Sequence, residues 1–296
     1  MNYYLGIDGG GTKTAICLIN EKKEILDVKI GKASSIDTVT FKETIDNIEE
    51  IIKQIKVEGN ITTCFAGLGG IACKSDIDMV INGLKTIPLL KNSKVFAGND
   101  IVSALISGEG KETGMAAIIG TGSVVYGDNG KLSHRCGGVS YQEGDPGSSF
   151  DLGIKSLRYL ARVMDERLPK SQFSDNLMAE LNCYDMFSLI KWTQKSRTEI
   201  AGIARIVTKY GNLEKAKKII ESGVNEIVEM AKTVYNKLGF DEVTLSVTGS
   251  LGNADTYYKE YLTKKMKEEL PKVTVSKAKY EAYYGAALKA LYLTQK

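Results

Sequence analysis

The sequence predicts an α/β protein with two similar domains around an inter-domain cleft, and three observations lead to that prediction. The chain of 296 residues is longer than one typical hydrophobic core requires. A strand, a glycine-rich turn and a second strand occur at residues 3–19 and again at residues 115–126. After Gly110 the alternation of strands and helices begins again.

These patterns define the expected domains. The first domain covers residues 1–110 and is joined by a C-terminal helix at residues 280–296. The second domain covers residues 111–279 and carries a large helical insertion after its first strands.

The elements of the first domain follow from apolar periodicity and capping signals. Thr40 and Glu43 form a capping box, and isoleucines follow it at helical spacing. The other expected elements are strands at residues 3–7, 15–19, 61–65 and 94–97 and helices at residues 76–84 and 101–107.

The second domain reads in the same way, with more helix. Its expected strands are residues 115–119, 124–126, 243–247 and 272–276. Its expected helices are residues 149–167, 173–181, 186–193, 200–210, 213–238 and 257–269, and a terminal helix covers residues 280–292.

Composition excludes several classes of function. An apolar content of 43% and a charged content of 25% are typical of a soluble globular protein. A net charge of +3 is too small to indicate a nucleic-acid partner, and no apolar run is long enough for a membrane span. Five scattered cysteines without C-x-x-C spacing and the lack of a signal-like N-terminus predict a cytoplasmic protein with reduced thiols.

The most informative segment is the turn at residues 8–14, Asp-Gly-Gly-Gly-Thr-Lys-Thr. Three consecutive glycines allow a phosphate to approach backbone N–H groups, and Asp8 places a carboxylate where a hydrated Mg²⁺ could bind. The alternative is a tight hairpin whose glycines only supply positive φ.

Two further turns repeat this theme. Gly-Thr-Gly-Ser follows a strand at residues 120–123, and Thr-Gly-Ser-Leu-Gly follows another at residues 248–252. None of the three turns has the spacing of a Walker A loop or of a dinucleotide fingerprint. Together they indicate a nucleotide site, and three ordinary α/β turns are the alternative.

These residues resemble the actin/hexokinase/Hsp70 superfamily of ATP phosphotransferases, and within it the group of N-acetylglucosamine kinases and BadF/BadG/BcrA/BcrD-type ATPases. Residues 8–14 resemble its first phosphate motif, residues 120–123 its second, and residues 248–252 its adenosine motif. Ala-Gly-Asn-Asp at residues 97–100 and two signatures at residues 136–148 complete the resemblance. It implies two duplicated ribonuclease-H-like domains, the actin-like ATPase fold.

The resemblance implies roles for the turn residues. Asp8 would hold Mg²⁺ of Mg-ATP, through water. The residues implied to bind ATP phosphates are Gly10, Gly11, Thr12, Lys13, Thr121, Gly122 and Ser123, and those implied to face adenosine are Gly249, Ser250 and Asn253. Lys13 could equally point into solvent.

The acceptor residues are implied in the same way. Asp100 ends a strand and precedes a helix, so it could be a helix N-cap, but the resemblance makes it the catalytic base that also contacts the substrate. Ser35, Gly137, Gly138, Val139 and Asp145 would bind a sugar. Ser35 stands where the family usually has Asn, and Pro146 where it usually has Glu, which puts the identity of the sugar in question.

The predicted function is therefore an ATP-dependent amino-sugar kinase that phosphorylates N-acetylglucosamine or a relative such as N-acetylmuramic acid or glucosamine, at the 6-hydroxyl by family analogy. The alternative within the family is an ATPase that activates a 2-hydroxyacyl-CoA dehydratase type of enzyme through an iron–sulfur cluster. A non-catalytic sugar-sensing module is a third reading. A homodimer stays open as an assembly.

Overall fold

A computed structural model describes residues 2–295 and divides into two compact units. The first unit comprises Met1–Thr113 and Ala278–Lys296, and the second comprises Gly114–Lys277. Each unit contains one five-stranded mixed sheet.

The first unit begins with three consecutive strands. Its elements are β1 (Tyr3–Gly9), β2 (Thr14–Asn20), β3 (Ile25–Gly31), α1 (Phe41–Ile52), β4 (Ile61–Leu68), α2 (Lys74–Leu84), β5 (Lys94–Asn99), α3 (Asp100–Glu109) and the C-terminal α12 (Ala282–Gln295). A single 3-10 turn, Pro88–Leu90, precedes β5. The strand order is β3-β2-β1-β4-β5, with β1 antiparallel to β2 and parallel to β4.

The second unit repeats this plan around a helical insertion. Its elements are β6 (Gly114–Ile119), β7 (Ser123–Asp128), β8 (Ser133–Gly137), α4 (Ser149–Met164), α5 (Gln172–Leu181), α6 (Met186–Thr193), α7 (Arg197–Gly202), α8 (Ala204–Lys209), α9 (Glu214–Leu238), β9 (Val243–Thr248), α10 (Ser250–Asn253), α11 (Tyr257–Glu269) and β10 (Val273–Lys277). Read from β8, the order is β8-β7-β6-β9-β10, with β6 antiparallel to β7 and parallel to β9. The matching topologies confirm a duplicated α/β fold.

The first sheet is covered on both faces. Leu5 and Ile7 of β1 join a core with α1 and α2, whereas Tyr4 joins a core with α12. Burying each such side chain is worth roughly 1.5–3 kcal/mol. On the α12 face, a Cβ on Gly6 would overlap the backbone of Ala287, so glycine at this position permits the close approach of helix and sheet.

Several boundaries differ from those expected from sequence. The capping box of Thr40 and Glu43 is confirmed. The helix expected at residues 200–210 is instead two short helices, α7 and α8, separated at Ile203. Gly202, with its low helix propensity, lies at this break. The sequence gives no bounds for β3 and β8, which are edge strands with exposed or polar residues.

No helix within residues 2–295 is both long and apolar enough to cross a lipid bilayer.

Candidate functional site

In the first unit the glycine turn joins the central strand β1 to its antiparallel neighbour β2. Asp8 is the penultimate residue of β1, and Gly11, Thr12 and Lys13 are exposed to solvent. The N–H of Gly10 donates to the carbonyl of Lys13 at 3.0 Å, which closes the turn. The Gly10 amide therefore already has a partner. The three residues that follow it are the ones exposed to solvent.

A second segment of the first unit lies against this turn. The amide of Ser35 donates to the carbonyl of Gly10 at 3.3 Å, and the amide of Ile36 donates to the carbonyl of Gly69 at 3.1 Å. Ser35 is buried, and its hydroxyl donates to the carboxylate of Asp37. These bonds place Ser35 beside the strand ends of β1 and β4.

Asp100 is the first residue of α3, and it is not the N-cap of that helix. The cap is Asn99, whose side chain accepts from the amide of Ile101 at 3.2 Å and donates to the carbonyl of Ile71 at 2.9 Å. The capping role considered for Asp100 is therefore wrong. A helix of this sequence can be capped by either residue, and the end of β5 at Asn99 selects the first.

Asp100 and Ser35 border the same position. A Cβ on Gly69 would lie 2.6 Å from Ser35 Oγ and 3.6 Å from Asp100 Oδ2. Two residues predicted to contact the acceptor are thus brought together from distant parts of the sequence, and glycine at position 69 avoids a clash with Ser35.

The carboxylates of the first unit repel one another. Burial, followed by the negative charges of Asp100 and Glu281, raises the pKa of Asp8 to about 7, and Lys13 partly opposes that rise. An excess of negative charge of this kind suits a divalent cation, which prefers oxygen ligands. No group of three or more His, Cys, Asp or Glu side chains within residues 2–295 forms a metal site by itself. Asp8 therefore offers a single carboxylate to such an ion.

In the second unit the corresponding turn, residues 120–123, is held by hydrogen bonds to the start of α4 and to the loop before it. The amides of Ser149 and Phe150, at the start of α4, donate to the carbonyls of Gly120 and Thr121 at 2.8 and 3.3 Å. The hydroxyl of Ser123 donates to the carbonyl of Pro146 at 2.6 Å. These bonds tie the turn to the loop that carries Asp145.

Asp145 is nearly inaccessible and is paired with an arginine that the sequence motifs do not indicate. Its carboxylate accepts from Nη2 of Arg197 at 2.5 Å, and its side chain is 3% exposed. The Arg197 guanidinium also lies over the ring of Tyr141, 5.3 Å from the centroid. The Ser196 capping box could have located Arg197 in a first helical turn, but no sequence signal links it to Asp145.

The two glycines of the acceptor signature have left-handed backbone conformations. Gly137 has φ of 77° and Gly138 has φ of 64°, values that favour glycine. The Arg135 side chain donates to both of their carbonyls, at 3.2 Å from Nε to that of Gly137. Val139 follows them and is 83% exposed. This loop is therefore held by Arg135, while its next residue is open to a ligand.

The third turn packs beside the second. A Cβ on Gly120 would lie 3.8 Å from Cα of Gly249, which has φ of 90°. Asn253 Nδ2 donates to the carbonyls of Val247 and Gly249 at 3.2 and 3.1 Å. Ser250 begins the short helix α10. The side-chain amide of Asn253 thus shapes the third turn, whose backbone lies close to that of the second turn.

Known proteins resemble this chain over nearly its whole length. A family model described as the BadF/BadG/BcrA/BcrD ATPase family matches residues 5–290. The chain is 28% identical over 303 residues to an N-acetylmuramic acid/N-acetylglucosamine kinase of Clostridium acetobutylicum, covering 97% of this chain and 98% of the relative. It is 26% identical over 311 residues to an N-acetyl-D-glucosamine kinase of Dictyostelium discoideum, covering 97% of each.

A solved structure shares the fold. The protein comes from Chromobacterium violaceum, and its assignment as an N-acetylglucosamine kinase is itself a proposal. It superimposes with a TM-score of 0.78 at 19% identity over 98% of each chain. At that identity the likeness concerns the fold alone. The family match over nearly the whole length of the chain settles its membership: this protein belongs to the BadF/BadG/BcrA/BcrD ATPase family.

Proposed function

We propose that the chain is an ATP-dependent amino-sugar kinase. It transfers the γ-phosphoryl group of ATP to a hydroxyl of N-acetylglucosamine or of a close relative such as N-acetylmuramic acid or glucosamine, and by analogy this is the 6-hydroxyl. A bond forms between the sugar oxygen and phosphorus, and the bond from phosphorus to the bridging oxygen of ADP breaks. The hydroxyl proton passes to a carboxylate of the protein.

The placement of Asp100 carries this proposal. Asn99 takes the capping role, so capping does not account for a carboxylate at the start of α3. Asp100 Oδ2 and Ser35 Oγ both lie close to the backbone of Gly69, so the two residues assigned to the acceptor are neighbours in the first unit. A carboxylate within reach of a reacting hydroxyl is the group that general-base catalysis requires.

ATP is the donor expected of an ATPase family. We assign phosphate contacts to Gly11, Thr12, Thr121, Gly122 and Ser123. Gly10 contributes through the shape of its turn. Lys13 is exposed, so both alternatives remain for it: contact with a phosphate or orientation into solvent. We assign the adenosine side to Gly249, Ser250 and Asn253.

We assign Mg²⁺ to Asp8, through water. When bound, the ion would neutralise phosphate charge during transfer. The position of Asp8 supports this assignment, because its carboxylate lies near the negative charges of Asp100 and Glu281, which a divalent cation would offset.

For the acceptor we assign Asp145 and the backbone of residues 137–139. The relatives named for N-acetylglucosamine and N-acetylmuramic acid support an amino sugar. Ser35 is a shorter side chain than the Asn usual in the family, so we expect the pocket to accept a 3-O-lactyl group. Pro146 keeps its carbonyl bonded to Ser123, so the replacement of Glu leaves the loop anchored.

A coupled ADP-release assay with Mg-ATP tests the proposal. Purified protein is given a panel of hexoses, hexosamines and N-acetylated sugars. We expect N-acetylglucosamine to exceed glucose by at least about tenfold in kcat/KM, because a site that pairs an amide rejects an analogue that lacks it. Equal turnover of the two sugars contradicts an amino-sugar site, and ATP hydrolysis unaffected by any sugar contradicts a kinase.

The dehydratase-activator alternative lacks a corresponding observation. Such an activator supplies two cysteines per subunit near its second phosphate turn, whereas Cys136 is the one cysteine near residues 120–123 in the sequence. Of the remaining four, Cys17, Cys64 and Cys183 are buried and Cys73 is exposed on the first unit. Anaerobic purification that yields a protein with the visible absorbance of an iron–sulfur cluster would revive this alternative.

The setting of the enzyme is part of the same proposal. We infer a cytoplasmic enzyme that acts on small molecules. Light scattering of the purified protein decides between a monomer and a homodimer.

A further inference from the structure

We propose that Arg197 is a catalytic residue that binds the phosphoryl group during its transfer. This inference rests on the proposed kinase function and adds to it a residue that none of the sequence motifs contains. Arg197 is the first residue of α7, within the helical insertion of the second unit.

The first observation is the position of its guanidinium. Nη2 of Arg197 lies 2.5 Å from Oδ2 of Asp145 and would lie 2.7 Å from a Cβ on Gly122. Gly122 belongs to the turn assigned to ATP phosphates, and Asp145 belongs to the signature assigned to the sugar. One nitrogen therefore borders both the turn assigned to the phosphate donor and the residue assigned to the acceptor, and we place the group being transferred beside it.

The second observation is that the guanidinium has binding capacity left. Nε of Arg197 is buried and makes no hydrogen bond within residues 2–295. The side chain as a whole is 31% exposed, so part of it is accessible from solvent. A planar guanidinium with an unpaired N–H group matches phosphate oxygens, which it can bind through two parallel hydrogen bonds.

The third observation is that the side chain is held in place. Asp145 fixes one nitrogen, and the ring of Tyr141 lies 5.3 Å below the guanidinium carbon. The neighbouring Arg135 is engaged with the carbonyls of Gly137 and Gly138. Arg197 is therefore the preorganised cation on this part of the second unit, and preorganised charge is what stabilises a transition state efficiently.

The chemistry requires a charge at this point. As the bond from phosphorus to the ADP oxygen breaks and the bond to the sugar oxygen forms, negative charge is spread over the three equatorial oxygens. Arg197 donates hydrogen bonds to those oxygens and neither gains nor loses a proton, since a guanidinium stays protonated.

The test compares Arg197→Gln and Arg197→Lys with the wild type, using Mg-ATP and either N-acetylglucosamine or N-acetylmuramic acid. We expect kcat to fall about 10²–10³-fold in Arg197→Gln with each sugar that the wild type phosphorylates. In Arg197→Lys, kcat should fall less, because lysine keeps the positive charge but lacks the planar guanidinium that binds two oxygens at once. KM values for ATP and sugar should change by less than about fivefold, since the interaction belongs to the transition state.

Arg205 is the matched control. It lies in the same insertion, on α8, and is exposed. Arg205→Gln should retain wild-type kcat and KM values. Thermal unfolding of every variant identifies loss of fold, and if Arg197→Gln does not fold, Arg197→Lys decides: a folded variant with unchanged kcat overturns the proposal.

The outcomes separate this inference from the function on which it rests. A wild type that phosphorylates no sugar in the panel overturns the kinase proposal itself. An active wild type with an equally active, folded Arg197→Gln overturns the role of Arg197 alone. A loss confined to N-acetylmuramic acid also overturns it, because Arg197 would then bind the lactyl carboxylate of the acceptor.

Discussion

The two glycine turns of this protein share one backbone design and differ in the charges around them. Burial, followed by the negative charges of Asp100 and Glu281, raises the pKa of Asp8, beside the first turn, to about 7. Asp145, beside the second turn, is paired with Arg197 at 2.5 Å. The first turn is therefore surrounded by charge that a ligand must offset, whereas the second has its charge offset by the protein.

The two turns are anchored by different parts of the chain. The start of α4 donates two backbone hydrogen bonds to the second turn, whereas the amides of Ser34 and Ser35 donate to the carbonyl of Gly10 in the first. In the first turn, Gly11, Thr12 and Lys13 are exposed. Duplication has thus kept the strand–turn–strand geometry while the side chains around it diverged. We infer that the first unit supplies the base and the cation site and that the second supplies a fixed binding surface.

Replacing the base should have the largest effect. Asp100→Asn keeps the size of the side chain but removes its capacity to take the hydroxyl proton, so kcat should fall about 10²–10⁴-fold. Because Asn99 is the cap of α3, the free energy of unfolding should not decrease. Steady-state kinetics and chemical denaturation measure the two quantities.

Asp78→Asn is the control for this replacement, since Asp78 is an exposed aspartate on α2 of the same unit. It should leave kcat unchanged. If Asp100→Asn retains more than about a third of the wild-type kcat, the first unit does not supply the base and the contrast between the turns loses its chemical meaning.

Sequence could predict the turns because their information is local. Glycines between two apolar strands at residues 8–14 and residues 120–123 specify the same geometry wherever the strands pair. It could not assign the cap of α3, because Asn99 and Asp100 are equally suited and only the end of β5 decides between them.

Sequence also could not find Arg197. The pairing of Asp145 with Arg197 joins residues 52 apart in the chain, through the packing of the helical insertion. Ser35 and Asp100 are likewise far apart in the sequence, and both lie close to Gly69 in the fold. Contacts of this kind depend on tertiary packing, to which hydrophobic periodicity and turn motifs are insensitive.

The burial of Asp8 and the repulsion from its neighbours should make stability depend on pH. In the folded protein its pKa is about 7 against an ordinary value of 3.8, so the fold favours the protonated form. Its contribution is present below about pH 4 and is lost as the pH rises to about 7. The ceiling of this loss is about 4 kcal/mol, at 1.36 kcal/mol per pKa unit.

Chemical denaturation at pH 4, 6 and 8, with EDTA present to remove divalent cations, checks this expectation. Asp8→Asn should be more stable than wild type at pH 8, and the difference should shrink towards pH 4. Asp100→Asn should show part of the same gain, because it removes one of the charges that raise the pKa of Asp8. If the wild type and Asp8→Asn have the same free energy of unfolding at pH 8, the ionised carboxylate of Asp8 does not destabilise the first unit, and the contrast with the second turn fails.

Breaking the pair in the second unit should act in the opposite direction. Asp145→Asn leaves Arg197 without its countercharge, so the free energy of unfolding should fall by about 1–3 kcal/mol, between the values for exposed and fully buried pairs. Asp165→Asn disrupts an exposed pair with Arg167 and should cost less than about 1 kcal/mol. Urea denaturation at pH 7 measures both, and equal losses would contradict a special role for the Asp145 pair.

The smallest effect is expected at Ser35, and it tests whether the first unit also binds the acceptor. If the Ser35 hydroxyl contacts the sugar, Ser35→Ala should raise the KM for N-acetylglucosamine about three- to tenfold, the loss of one hydrogen bond, with kcat and the KM for ATP nearly unchanged. Ser34→Ala is the matched control, because the hydroxyl of Ser34 accepts from Thr14 Oγ1 at 2.6 Å and is buried next to Ser35. A similar rise of KM in both variants would mean that the two serines support the conformation of this segment and that the Ser35 hydroxyl does not contact the sugar. An unchanged KM in Ser35→Ala would leave acceptor binding to the second unit alone, and the division of work between the two turns would then be sharper than we propose.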